Sequence, residues 1–198
     1  MTEKNIKNPT FIHLDVNSEY SIGKSVVRID ELLDECINEG IPAVGIADHG
    51  NLFSAYKIYK RAIKKGIKPI IGVTLSVQSE TSKSDYKLIL LCKDKLGYEN
   101  LSHLITRSYV EGYHLGEAKI KMKWINNKNA EGLVAISAYH EGIIQSLMLS
   151  DKENEVEKQI NFLKNNFGEN FFIGVTKINR EREAELLNKS VVLSSKYN

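Results

Sequence analysis

From residue 11 onward, short apolar runs alternate with longer stretches in which apolar residues recur every three or four positions. The first run, residues 11–16 (FIHLDV), is rich in β-formers and predicts a strand. Residues 28–39 place Ile29, Leu32, Leu33, Cys36 and Ile37 on one helical face. Gly40 and Pro42 then stop that helix. Residues 43–47 (AVGIA) predict a short buried strand, and residues 52–65 the clearest helix, with Leu52, Tyr56, Tyr59 and Ile63 as its apolar stripe and Gly66 at its end. In residues 68–78, Ile71, Val73, Leu75 and Val77 alternate as in a strand; residues 86–92 predict another, after a polar turn or loop at 79–85. Further on the pattern predicts a helix over 98–112 with Leu101, Leu104, Ile105 and Tyr109 inward, and a strand over 133–137. Helices over 141–149 and 154–167, a strand over 171–176 and a closing helix over 180–197 complete the series.

Such regular alternation predicts an α/β fold, either a mainly parallel sheet or a barrel, with sites at the carboxyl ends of the strands. The count is about six strands, fewer than the eight of a standard barrel. The last helix has no following strand to pack against, so the natural polypeptide is expected to continue past Asn198. No internal repeat, low-complexity tract or dividing linker interrupts the pattern.

Composition adds limits. The chain has 198 residues, 42% hydrophobic and 26% charged, enough for one packed domain. No apolar run approaches the ~18 residues of a membrane span. Residues 1–10 are polar and lack the apolar core of an export signal, which with two distant cysteines, Cys36 and Cys92, predicts a cytoplasmic protein with reduced, buried thiols and no membrane partner. A net charge of +2 gives no global argument for nucleic acid. Locally, residues 57–68 (KIYKRAIKKGIK) hold six basic residues and no acid. The plain interpretation is a solvated helix face; the sharper one is a phosphate- or partner-contacting surface made by Lys57, Lys60, Arg61, Lys64 and Lys65.

Candidate chemistry gathers at the predicted strand ends. His13, Asp15 and Asn17 share one face of the first strand. Asp48 and His49 follow the second, Thr74 lies in the third, Lys87 opens the fourth, and Tyr139 and His140 follow the fifth. His103 and His114 fall in a helix and the loop after it. A hydrolytic metal centre needs several His, Asp, Glu or Cys ligands converging on one point with a position left for water. One mononuclear site assembles on paper; a multinuclear one is under-supplied. Asp48 alone is equally an N-cap for the next helix, or a residue ordering the turn at Gly50. Gly-rich phosphate loops, CxxC pairs and HExxH motifs are absent.

Taken together, residues 11–77 (FIHLDVNSEYSIGKS…GIADHGNLF…GIKPIIGVTLSV), then LILLCKDKLGYENLSHLITRSYVEGY, GLVAISA and FGENFFI, resemble the N-terminal PHP (polymerase and histidinol phosphatase) domain of bacterial DNA polymerase III alpha subunits, the C-family replicative polymerases. The resemblance covers nearly everything after residue 10 and implies a PHP domain over 11–198. It implies a distorted barrel of the (βα)7 kind, truncated at its C-terminal end. It also implies a ligand set. The family's HxH motif falls on Asp15 and Asn17, with His13 matching the histidine that often precedes it. Its Asp-His pair falls on Asp48 and His49, which are retained. Its glutamate falls on Thr74, its strand-opening histidine on Lys87 and its cysteine on Tyr139.

Lys87 puts a cation where a cation would bind, and Thr74 and Tyr139 remove an anionic carboxylate and a potential thiolate, on which metal affinity depends. The expectation is therefore no metal, no cofactor and no catalytic residue in this chain, with His13, Asp48 and His49 as residual metal candidates. Asp15, Asn17, Thr74, Lys87 and Tyr139 would line a vestigial site. The function implied is a non-catalytic structural module of a replicative polymerase that docks the proofreading exonuclease (epsilon) subunit. Partners would be the remainder of the alpha subunit, epsilon, and DNA through the holoenzyme. Nucleotidyl transfer, with its Mg2+ ions, would reside in a later domain. The alternative is a metal-dependent phosphoesterase or 3′–5′ proofreading nuclease using His13, Asp48 and His49.

Overall fold

The computed structural model describes residues 11–78, 85–114 and 116–197. The chain forms two compact units, residues 1–74 and 75–198, divided within one long strand.

In the first unit, helix α1 (Ile29–Asn38) buries Ile29, Leu33 and Cys36. Ile37, expected on the same face, is exposed. Strand β1 (Ala43–His49) runs parallel to the first part of β2 (Lys68–Gln78), from Ala43 opposite Lys68 to His49 opposite Thr74. Six of its seven residues are buried, which is why it reads as a continuous apolar run. The core joins α1, β1 and helix α2 (Ala55–Lys64) through Leu33, Val44, Ile46, Ile58 and Ala62.

Two expectations for this unit need correction. Residues 11–16 do not form a strand; a single bridge, Val16 to Ile46, is made. The Gly45 N–H donates to the His13 carbonyl at 2.7 Å, and the Val16 N–H to the Gly45 carbonyl at 3.1 Å. The crossing is so close that a Cβ on Gly45 would lie 2.3 Å from the Leu14 carbonyl oxygen. Beyond Asn17 the chain turns away, with Ser21 N–H donating to the Ser18 carbonyl, so pairing cannot propagate. The apolar stripe assigned to α2 also points the other way. Ala55, Ile58 and Ala62 are buried, whereas Tyr56, Tyr59 and Ile63 are exposed. Small residues let the helix backbone sit close to its support, and the bulky side chains are left outside.

The second unit begins with the last part of β2, followed by β3 (Tyr86–Cys92) and helix α3 (Lys95–Glu111). Asp94 caps α3 by accepting from the Gly97 N–H at 2.9 Å, so the helix starts three residues before the expected position. Next come the short strands β4 (Tyr113–His114) and β5 (Glu117–Lys121), helix α4 (Asn127–Ala130), β6 (Leu133–Ser137), helices α5 (Ile143–Leu149) and α6 (Glu153–Phe167), β7 (Phe171–Ile173) and helix α7 (Glu183–Tyr197). The β4–β5 hairpin has no counterpart in the apolar pattern, because only Ile120 in it is buried; His114 belongs to β4, not to a loop. The turn expected at 79–85 lies, apart from Asp85, outside the described residues.

The strand order in this unit is β4-β5-β2-β3-β6-β7. β2 and β5 are parallel, as are β6 and β7, while β3 and β6 are antiparallel, Leu88 opposite Ser137 through Cys92 opposite Leu133. The fold is thus mixed α/β. The expected barrel is not formed: among the described residues β4 and β7 end the sheet and do not pair with one another.

Candidate functional site

Asp48, near the end of β1, has a fully buried side chain. Its carboxylate is enclosed by hydrogen-bond donors from two loops. The Ser18 N–H donates to Oδ1 at 2.7 Å, and the Ser18 hydroxyl reaches both oxygens, at 2.9 and 2.8 Å. The Ser21 hydroxyl donates to Oδ1 at 2.7 Å, and the Ser54 hydroxyl to Oδ2. All three serines are buried. Ser54 occupies the N-cap position of α2 yet spends its hydroxyl on Asp48 instead of the helix N–H groups. Asp48 itself therefore does not cap α2, but it anchors the residue that stands there. Each bond to an ionised carboxylate contributes about 1.5–3 kcal/mol, and together they offset the cost of burying the charge.

The neighbouring positions are engaged as well. The Asn17 amide donates to the carbonyls of Asp15 and Ala47, both at 3.3 Å, and the Thr74 hydroxyl donates to the same Ala47 carbonyl at 3.1 Å. The His49 N–H donates to the Ser21 hydroxyl at 3.0 Å, while Asn51 bridges the Tyr20 and His49 carbonyls. His13 is exposed and packs edge-on against Phe11, ring centroids 5.0 Å apart.

In the second unit, Lys87 at the start of β3 is mostly buried. Its ammonium donates to the Ser76 hydroxyl at 2.6 Å and to Glu117 Oε1 at 3.1 Å, and Ser76 in turn donates to Glu117 Oε1 at 2.5 Å. Lys119 completes the cluster, 2.5 Å from Asp85 and 3.8 Å from Glu117. The Asp85 carboxylate holds the Lys119 ammonium above its ordinary pKa. Lys87 is thus a paired cation with a carboxylate partner on β5.

Tyr139 follows β6 in a left-handed conformation, φ 49°, and its ring closes over Gly174, where a Cβ would come within 3.0 Å. Beside it, Gln145 accepts from the Ser137 hydroxyl at 2.6 Å and donates to the Gly174 carbonyl at 2.9 Å. The Arg180 guanidinium reaches the Nε2 of His140. Burial first, and then that guanidinium, pushes the His140 imidazole below its usual pKa. Tyr139, His140, Gln145, Arg180, Glu181 and Glu183 border a cavity of about 410 Å³, together with the aliphatic Leu149, Val175, Leu186 and Leu187.

Among the described residues, no group of three or more His, Cys, Asp and Glu side chains is arranged to hold a metal ion. The sequence matches the PHP domain family over residues 13–177. This chain belongs to the PHP domain family.

Its similar curated proteins include DNA polymerase III alpha subunits. The DNA polymerase III alpha subunit of Pseudomonas aeruginosa is 35% identical over 190 residues, covering 96% of this chain and 16% of the polymerase subunit. That of Borreliella burgdorferi is 34% identical over 195 residues, covering 94% of this chain and 17% of the subunit. That of Aquifex aeolicus is 31% identical over 202 residues, covering 94% and 17%. The chain thus spans about a sixth of the length of the curated relatives it matches.

The strand-end residues of this PHP domain were visible as polar interruptions of apolar runs. Its other site residues were not. Ser21 and Ser54 meet Asp48 across sequence separations of 27 and 6 residues, and Glu117 meets Lys87 across 30. Ser54 lies inside the stretch expected to be helical from residue 52, whereas α2 begins at Ala55, so its N-cap position was not marked; Ser21 and Glu117 carried no local signal.

Proposed function

We propose that this PHP domain is a non-catalytic structural and docking module of a DNA polymerase III alpha subunit, serving DNA replication. The observation that carries the reading is the enclosed carboxylate of Asp48. In a metal-binding PHP domain an aspartate at this position would present oxygens to a cation; here both oxygens accept from serine hydroxyls. Asn17 and Thr74 are spent on the Ala47 carbonyl, and Lys87 contributes its own positive charge, balanced by Glu117. The groups around Asp48 do not fit a metal centre, and neither, taken separately, do those around Lys87, so no hydrolytic step is derived through one. His13, Asp48 and His49 remain the positions to test for a single bound ion.

In this reading the module packs with the remainder of the alpha subunit and docks the proofreading exonuclease. Polymerisation and its Mg2+ ions belong to other parts of such a subunit. The test is elemental analysis of the purified protein after incubation with Zn2+ or Mn2+, together with a phosphodiesterase assay and a pull-down with the exonuclease subunit. Sub-stoichiometric metal, no hydrolysis and capture of the exonuclease are expected. Near-stoichiometric metal with hydrolysis abolished in Asp48→Asn would overturn the non-catalytic reading; failure to capture the exonuclease would overturn the docking role.

A further inference from the structure

The outward face of α2 is not used by the fold of its own unit. At 3.6 residues per turn, Tyr59, Ile63, Tyr56, Lys60 and Lys64 follow one another around one side of the helix. Every one of them is exposed, Tyr56 by 75% and Tyr59 by 58%. Phe53, 70% exposed, extends the same surface just before the first turn. The basic residues of the helix divide into two groups. Lys57, Arg61 and Lys65 are ion-paired to Glu19, Asp30 and Asp34. Lys60 and Lys64 have no ion pair among the described residues; Lys60 lies 5.7 Å from the centre of the Tyr56 ring.

We propose that this face binds single-stranded nucleic acid, with bases stacking on Tyr56 and Tyr59 and phosphates meeting Lys60 and Lys64. Exposed rings lie along one flank of this face and ammonium groups without an ion pair along the other, the pairing of aromatic rings with positive charge that single-strand binding surfaces use. From Tyr56 to Ile63 the helix rises ~10 Å, room for about three nucleotides at ~3.4 Å each. A protein partner fits less well. Cores of protein–protein interfaces are depleted in lysine, and here Lys60 and Lys64 form one flank of the face directly beside Tyr56, where such an interface would have to desolvate them. The proposal stands apart from the non-catalytic reading, since binding on α2 requires neither metal nor hydrolysis.

The experiment titrates the 198-residue protein into a fluorescein-labelled oligothymidylate and follows anisotropy at several salt concentrations. Wild type is expected to bind and to weaken with salt. Lys60→Ala/Lys64→Ala removes two phosphate contacts and flattens the log–log salt slope by about 1.4. Tyr56→Ala/Tyr59→Ala weakens binding by about tenfold or more while leaving that slope in place. Lys95→Ala, an exposed lysine in the other unit, leaves binding unchanged. Circular dichroism verifies that each variant is folded, which is expected because the substituted side chains are exposed. No binding at low salt, equal affinity for a duplex of the same length, or wild-type affinity in both double variants overturns the proposal. So does self-association that these variants abolish without any oligonucleotide binding, because the face would then join two copies of the chain.

Discussion

A buried carboxylate without a counterion is costly unless donors replace its hydration shell. Asp48 meets that requirement with three hydroxyls and one backbone N–H. The arrangement makes Asp48 a stability residue whose loss is felt on both sides. Asp48→Ala leaves several buried donors without an acceptor, at about 1–3 kcal/mol for each group stranded. The expected destabilisation is therefore more than about 3 kcal/mol, with Asp48→Asn intermediate and Ser21→Ala at about 1–2 kcal/mol. Urea unfolding followed by circular dichroism measures all three. A change within about 0.5 kcal/mol for Asp48→Ala would show that the carboxylate is not what holds the serine loop.

At the scale of elements, α2 separates amphipathicity from burial. The periodic pattern marks a helix correctly, and its large apolar residues suggest an inward stripe at Tyr56, Tyr59 and Ile63. Packing selected the opposite face, where Ala55 and Ala62 flank Ile58. Ile58→Ala is expected to cost about 2–5 kcal/mol, as for a fully buried aliphatic side chain. Tyr56→Ala and Ile63→Ser should each stay within about 0.5 kcal/mol of wild type, as exposed substitutions do. Thermal unfolding of the three variants decides between the two faces. If Tyr56→Ala unfolds the protein while Ile58→Ala does not, α2 buries its tyrosine face instead.

At the scale of the whole molecule, stability should respond to acid in two stages, both arising in the second unit. His140 has its pKa lowered from 6.5 by burial and by Arg180. The unfolded chain therefore takes up that proton first, so the contribution is complete above about pH 6.5 and is lost as pH falls toward the folded value. Glu183 and Glu185 have lowered values too, Glu183 chiefly through backbone N–H donors such as that of Ile178, and Glu185, at about 2, through Arg182 and Lys189. Their contribution is present above about pH 4.5 and fades below it. Urea midpoints measured from pH 8 to 4 should fall first below about pH 6.5 and again, only weakly because both carboxylates are screened by solvent, below 4.5, and His140→Gln should remove the first fall. A wild-type midpoint that stays flat from pH 7 to 5 would contradict this assignment.

The sequence by itself determined most of the longer elements, though not the β4–β5 hairpin or the absence of a strand at residues 11–16. The bounds of β2, β3 and β6 follow from their apolar runs, and the helices from three- and four-residue spacing, because backbone hydrogen bonding and local burial act over a few residues. It also marked Asp48, His49 and Tyr139 at the ends of apolar runs, and Thr74 and Lys87 within them, since polar residues stand out there. Only the tertiary structure decided what those residues touch. Ser21 on Asp48, Glu117 on Lys87 and Arg180 on His140 are contacts between segments 27, 30 and 40 residues apart, and nothing in their immediate neighbours encodes them. The same holds for the face that α2 buries, for the bridge that replaces a strand at residues 11–16, and for the open sheet. Each depends on how closely two pieces of chain approach, down to the missing side chain of Gly45, and that distance is set by packing.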